Sequence, residues 1–373
     1  MGTRNWWPVA GTRGAGRLPG GHGRPVPADD GLRRALRLAI RNRHADVARL
    51  LLEHGADPNK RYFSGSEINL VSPLDLEFMN LLLTYGADPN TRDRAGLTPL
   101  MKAARLPQGM DSVLLLISYG ADVNAMTDAR HDYRTVLHYA VLSGNNAIVN
   151  LLLKQGAKLN FTTDYAKPTP LDLAILKGDI SLVKMLLVSG ANVNSNSPII
   201  GSPLHVVCAD SIENRLEILH MLLVAGADPN LVIDSDEGPP LRPVLSEYMA
   251  SNEKPCPHVV SLLLRYGAKV VMKTQFRDPH GILNSLQNIS NTPVIFELLL
   301  DAAESFDVCM IRRSAHLSPE QKERLLKVAT APLSLRHQAR LSIRKHMGNK
   351  LITRVEALPI PTVLHRYLIY DFY

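Results

Sequence analysis

Apolar residues in this chain gather into short runs that stop at glycine. Leu50, Leu51 and Leu52 precede Gly55; Leu81, Leu82 and Leu83 precede Gly86; Leu151, Leu152 and Leu153 precede Gly156. Such glycines recur at 55, 86, 120, 156, 190, 226 and 267, spaced 31, 34, 36, 34, 36 and 41 residues apart. Each is followed by a polar piece such as Ala87-Asp-Pro-Asn90 or Ala121-Asp-Val-Asn124. A second phrase lies about 20 residues ahead of most of them: Thr98-Pro-Leu-Met, Thr135-Val-Leu-His, Thr169-Pro-Leu-Asp and Ser202-Pro-Leu-His. Thr or Ser caps a helix, and Pro fits the first turn, where no donor is needed. The leucine run forms the apolar stripe of a second helix, which the glycine ends in a left-handed conformation. The Asp- and Asn-rich piece is a turn. One unit is therefore two short antiparallel helices and a projecting loop.

Both phrases at this period resemble the ankyrin repeat, over roughly residues 31–310 and about seven units. An eighth is suggested from Gly281 to Asp301, without the terminal glycine. The resemblance implies an all-α solenoid stabilised by contacts between neighbouring units, whose concave helices and loop tips are a recognition surface. Irregularities are expected. The first unit lacks the Thr-Pro-Leu start, the second is shortened between Pro73 and Gly86, and the seventh carries an insertion around 234–240.

The pattern changes after the repeats. Ser318-Pro-Glu-Gln321 is a capping box that opens a helix through about Thr330, within a connecting segment 311–331. In the following stretch Leu335, Ala339 and Ile343 are four apart and share one helix face, with Arg336, Arg340 and Arg344 elsewhere on it. The chain then reads Leu358-Pro-Ile-Pro361 and Leu364, Tyr367, Leu368 and Tyr370. A tail of about 40 residues is too small to hold a core alone, so it packs on the last repeat, on a partner, or on both.

Residues 332–373 resemble a SOCS box, and the whole chain resembles the ankyrin repeat and SOCS box family. The resemblance implies that Leu335, Ala339 and Ile343 bind Elongin C, paired with Elongin B. Ala339 stands where the family more often has Cys. It also implies that Leu358, Pro359, Ile360 and Pro361 face cullin-5 with its RING subunit, Pro359 and Pro361 holding an extended backbone that presents Leu358 and Ile360. The protein is then expected to be the non-catalytic substrate-recognition subunit of a ubiquitin ligase. A scaffold whose tail only caps the solenoid is the alternative.

Composition narrows this picture. The 373 residues are 45% hydrophobic, 21% charged and 5% aromatic, a length that fits two or three domains. No apolar run approaches the roughly 20 residues that span a bilayer, and no apolar stretch follows Trp6 and Trp7 as in a signal peptide. Residues 1–30 hold seven Gly and four Pro and are expected to be disordered. The net charge of +7 divides into +2 for residues 1–30, +8 for 311–373 and −3 for the middle, which argues against a phosphate-tracking groove along the repeats. The basic tail is read as a solvated helix face rather than a nucleic-acid site. Cys208, Cys256 and Cys309 form no Cys-x-x-Cys pair, read as buried small hydrophobes, and suit a reducing cytoplasm, extending to the nucleus. No catalytic signature, metal set or cofactor motif is found, and neither nucleic acid nor membrane is expected as a partner. His138 and His205, fourth in their phrases, read as backbone-bonding residues.

Two further sets of candidates come from the loops. Arg130 and Tyr133 precede, and Phe161 and Tyr165 follow, the fourth unit's helices, and are proposed to contact substrate because aromatic and Arg side chains are common interface anchors. Ankyrin repeats are known targets of an asparaginyl hydroxylase. Leu116 with Asp122-Val-Asn124 fits its preference best, and Asn194 fits less well, since Asn192 replaces the acid.

Overall fold

The computed structural model describes residues 28–60, 65–162, 167–209, 212–234, 240–289, 292–315, 317–347 and 351–371. The expectation of disorder in residues 1–30 lies outside them up to residue 27; residues 28–30 are instead the first turn of a helix, which corrects it there.

The helix pairs follow the two phrases. They are α1 (Ala28–Arg41) and α2 (Ala45–Glu53), a single full helix α3 (Leu76–Thr84), then α4 (Pro99–Ala104) with α5 (Met110–Ser118) and α6 (Val136–Ser143) with α7 (Asn146–Lys154). Next come α8 (Pro170–Leu176) with α9 (Ile180–Val188), α10 (Pro203–Cys208) with α11 (Arg215–Val224), and α12 (Val244–Ser251) with α13 (Pro257–Arg265). The second unit is the shortened one: one 3-10 turn, Glu67–Asn69, replaces its first helix. The eighth has a 3-10 stretch Leu283–Ile289 and α14 (Pro293–Ala302).

Caps explain where these helices begin. The Thr98 hydroxyl accepts the Met101 N–H at 3.3 Å. Thr135, Thr169 and Ser202 make reciprocal capping boxes in which His138, Asp172 and His205 take the place usually held by Glu or Gln. The second helices end at glycine because the chain turns left-handed there, as at Gly120 (φ 82°) and Gly226 (φ 93°).

The asparagine closing each unit does more than stabilise its own turn. Asn90 Nδ2 donates to the Gly120 carbonyl (3.2 Å) and its Oδ1 accepts the Asp122 N–H (2.7 Å). Asn59, Asn124, Asn160, Asn194 and Asn230 repeat the pair of bonds on the unit that follows each of them. This ladder joins unit to unit along the loop edge, beside a continuous apolar core running from Leu36 to Leu325.

The solenoid ends differently from its pattern. With no glycine after α14, the chain leaves as a strand, β2 (Ala303–Phe306). It pairs in parallel with β1 (Val270–Met272), the segment after Gly267. Helices α15 (Val308–Arg313) and α16 (Pro319–Thr330) follow. The capping box at α16 forms: Gln321 Oε1 accepts the Ser318 N–H at 3.0 Å, and Ser318 Oγ accepts the Gln321 N–H at 3.2 Å. The last module is α17 (Leu335–Met347), α18 (Leu351–Glu356) and α19 (Thr362–Leu368). It has a small core of its own, Val355, Leu368 and Ile369, with Ile343, Met347, Ile352, Leu358 and Ile360 against it. Among the cysteines only Cys208 is buried, which corrects the reading of all three as buried; Cys256, the N-cap of α13, is half-buried, and Cys309 in α15 is exposed.

Candidate functional site

Helix α17 starts where Ser334 accepts the His337 N–H through its hydroxyl at 3.2 Å. A period of 3.6 then gives the helix two rows about 100° apart. Leu335 is 84% exposed, Ala339 is exposed and Ile343 is half-buried, so the apolar row lies open at its N-terminal end.

The second row is the arginines: Arg336 is exposed, while Arg340 and Arg344 turn inward. For these two the reading of the basic tail as a solvated face is corrected; Arg336, Lys345, Arg354 and Arg366 are exposed as expected. Arg340 is 1% exposed. Its guanidinium donates to both carboxylate oxygens of Asp301 (2.9 and 2.7 Å) and to the Asp301 carbonyl (2.8 Å). It lies 4.1 Å from the Tyr367 ring centre and 4.3 Å from that of Tyr370. Arg336 sits 4.0 Å over Tyr367 and Arg344 4.5 Å over Tyr370, so three guanidiniums and two rings alternate in one stack. Arg344 also donates to the carbonyls of Leu368 (2.7 Å) and Leu264. Burial brings the Arg344 pKa down to about 10, which still leaves it charged at neutral pH. His337 meets the Ala303 carbonyl at 3.2 Å, and Arg265 pairs with Asp371 at 2.9 Å. The module is therefore joined to the last two ankyrin units by charge-assisted bonds and cation–π contacts.

Leu358 to Pro361 links α18 to α19. The Ile360 N–H donates back to the Leu358 carbonyl at 2.8 Å, and that carbonyl also meets His365 Nε2 at 3.0 Å. The segment bends instead of running extended. Leu358 and Ile360 turn onto the small core, while Pro359 and Pro361 are exposed.

In the loops, Arg130 is exposed and Tyr133 is 43% exposed with φ 53°. Phe161 is half-buried, its ring centre 5.3 Å from that of His138. Asp132 pairs with Lys167 at 3.0 Å, which ties the loop before α6 to the loop before α8. Tyr165 lies outside the described residues. His138 is neutral at neutral pH: burial brings its pKa down to about 4. Its Nδ1 accepts the Thr135 N–H (3.0 Å) and its Nε2 donates to the Pro168 carbonyl of the next unit (3.1 Å). Asn124 and Asn194 have both side-chain groups engaged in the ladder. Among the described residues no group of three or more His, Cys, Asp or Glu is placed to hold a metal. No described helix is long and apolar enough to cross a membrane.

Comparison with known proteins bears on these sites. Family models for ankyrin repeats match residues 72–163 and 108–197 as triple copies and 33–62 and 202–234 as single ones; a SOCS box model matches 331–369. The chain belongs to the ankyrin repeat and SOCS box family. Human Ankyrin repeat and SOCS box protein 16 is 27% identical over 300 residues, 69% of this chain and 64% of that relative. The chain thus spans just under two thirds of that relative's length. A bovine protein bearing the name Dynein axonemal heavy chain 12 is 30% identical over 270 residues, 69% of this chain and 68% of its own. Among solved structures, the ankyrin repeat domain of Bcl-3 aligns with 53% of this chain and 88% of its own, at 26% identity and a TM-score of 0.45. Proteins of ankyrin repeat and SOCS box architecture are typically non-catalytic adaptors.

Proposed function

We propose that this protein is the substrate-recognition subunit of a ubiquitin ligase built on Elongin B, Elongin C and cullin-5 with its RING subunit. The observation that carries the reading is the division of α17 into two faces. The arginine row locks the SOCS box to the ankyrin units, and Leu335, about 100° around the helix, remains 84% exposed. Leu335, Ala339 and Ile343 are the residues for Elongin C, and the exposed Pro359 and Pro361 within Leu358–Pro361 are those for cullin-5. The ankyrin loops around Arg130, Tyr133 and Phe161, with Tyr165, hold the substrate. The protein then works by fixing distance and orientation, raising the effective concentration of target lysines near the charged ubiquitin carrier. It makes and breaks no bond itself. Asn124, and less favourably Asn194, are proposed as hydroxylation sites.

The test is co-expression of the full chain with Elongin B, Elongin C and cullin-5. A stoichiometric complex on size exclusion, lost when 332–373 are removed, is expected. An intact chain that elutes alone would support the alternative of a scaffold with a terminal cap.

A further inference from the structure

The fourth residue of the capping phrase is an acid in one unit. In two units it is histidine, and the imidazole makes two bonds with separate nitrogens. His138 takes the Thr135 N–H and gives to the Pro168 carbonyl; His205 takes the Ser202 N–H (3.1 Å) and gives to the Arg242 carbonyl (2.8 Å). The unit between them has Asp172. Asp172 Oδ2 accepts the Thr169 N–H and hydroxyl, both at 2.8 Å, which reproduces the first bond. Nothing reproduces the second. A carboxylate has no proton to give to the next unit, and Asp172 Oδ1 is buried without a hydrogen-bond partner, the residue being 2% exposed.

The carboxyl is not silent. Burial lifts its pKa to about 6, against the pull of the Thr169 bonds. It is therefore mostly ionised at neutral pH, and a buried carboxylate oxygen without a partner is costly. Beside it lies a cavity of about 50 Å³ between the loops of two adjacent units, its walls including Phe161, Lys167, Thr169, Asp172, Ser197 and Gly201. A single water needs only about 15 Å³ of such space. The cavity's own lysine is occupied: Lys167 Nζ sits 3.0 Å from Asp132.

We propose that this cavity receives one lysine side chain of a bound protein, whose ammonium group pairs with Asp172 Oδ1. The assignment rests on the reading of the ankyrin loops as the protein-binding face. An anion is excluded by the carboxylate. A slim four-carbon stem carries an ammonium to the carboxylate. Phe161 is among the residues that wall the cavity. Substrates of this protein are then selected partly for a lysine held in the ankyrin loops, separate from any lysine that is modified.

The experiment uses the full chain labelled with carboxyl-¹³C aspartate, the Asp172 signal being identified by its loss in Asp172→Asn. The probes are Nα-acetyl-lysine methylamide, the norleucine analogue (same stem, no charge) and glycinamide (a free α-amine). The lysine probe is expected to lower the midpoint of the Asp172 titration by about one pH unit. The norleucine and glycinamide probes leave it in place. Asp172→His, which installs the residue of the two flanking units, is expected to keep the thermal midpoint and to abolish probe-induced shifts at the Thr169 and Ser197 amides. Where that variant does not fold, Asp172→Asn must abolish the same amide shifts. Three results overturn the proposal: no response to the lysine probe, an equal response to glycinamide, or a rise in the Asp172 midpoint in Lys167→Met without probe, which would make Lys167 the occupant. Elongin and cullin play no part in this measurement, so its failure leaves the ligase reading standing, and a chain that takes the probe but no Elongin separates the two in the other direction.

Discussion

Arg340→Ala should release the SOCS box from the ankyrin stack without unfolding the stack. The side chain is fully buried and makes three short bonds to Asp301, two of them to its carboxylate, between two tyrosine rings. Removing one partner of a buried ion pair costs about 3–5 kcal/mol. Asp301 is 48% exposed and regains water once alone, so the lower end, about 3 kcal/mol, applies. That is roughly a hundredfold in the docking equilibrium. The small core around Val355 and Leu368 gives the freed module little stability of its own. Hydrogen exchange on the full-length chain reads this directly. Peptides of α17 and α19 should exchange roughly a hundredfold faster, while those of α6 to α11 keep their protection. Asp301→Asn retains the shape and one acceptor and should show a smaller effect in the same peptides. Unchanged exchange in α17 and α19 would refute the claim that the arginine row holds the module. Equal acceleration throughout the ankyrin units would show that Arg340 supports the whole fold.

Leu335→Ala removes an exposed side chain, so the melting temperature should stay within about 1 °C while Elongin C binding falls at least about tenfold in a pull-down or calorimetric titration; undiminished binding counts against the box assignment. Replacing Pro359 and Pro361 with Ala should reduce cullin-5 recovery and spare Elongin B/C, whereas Leu358→Ala and Ile360→Ala should also loosen the module, visible as faster exchange in α18 and α19. Joint substitution of Arg130, Tyr133, Phe161 and Tyr165 should abolish capture of ubiquitinated targets with the Elongin complex intact; retention of the same targets moves the binding face elsewhere. Mass spectrometry of the chain co-expressed with the hydroxylase should find one added oxygen on Asn124, and its absence from both Asn124 and Asn194 removes the idea.

The repeats were legible because their signals are local. A capping Thr or Ser, a leucine run and a left-handed glycine each act within one helix, and they recur at a readable period. What escaped depends on partners distant in the chain. Arg340 on an amphipathic helix reads as solvated until Asp301, 39 residues earlier, and Tyr367 and Tyr370, about 30 later, are known to surround it. The asparagines looked like turn formers because their second set of bonds reaches 27 to 39 residues ahead. Loss of the glycine after α14 was visible, but not that the chain would exit as a strand, since β2 needs β1 beside it. Leu358 and Ile360 pointed inward for the same reason: their apolar partners come from three helices. One signal was present and passed over, the acid at position 172 where two flanking units carry histidine.

Helix α17 works like a toothed shaft seated in two housings. Arginine teeth at 336, 340 and 344 mesh with the ankyrin side, and apolar teeth at 335, 339 and 343 are cut one position away, about 100° around the axis. The two sets cannot be set independently. One residue inserted between Leu335 and Arg336 would keep Ala339 and Ile343 in register with the arginines and turn Leu335 away from both by that angle. A residue inserted before Ser334 would turn neither. Whatever meets the apolar teeth is thereby indexed, in angle as well as distance, to the ankyrin units.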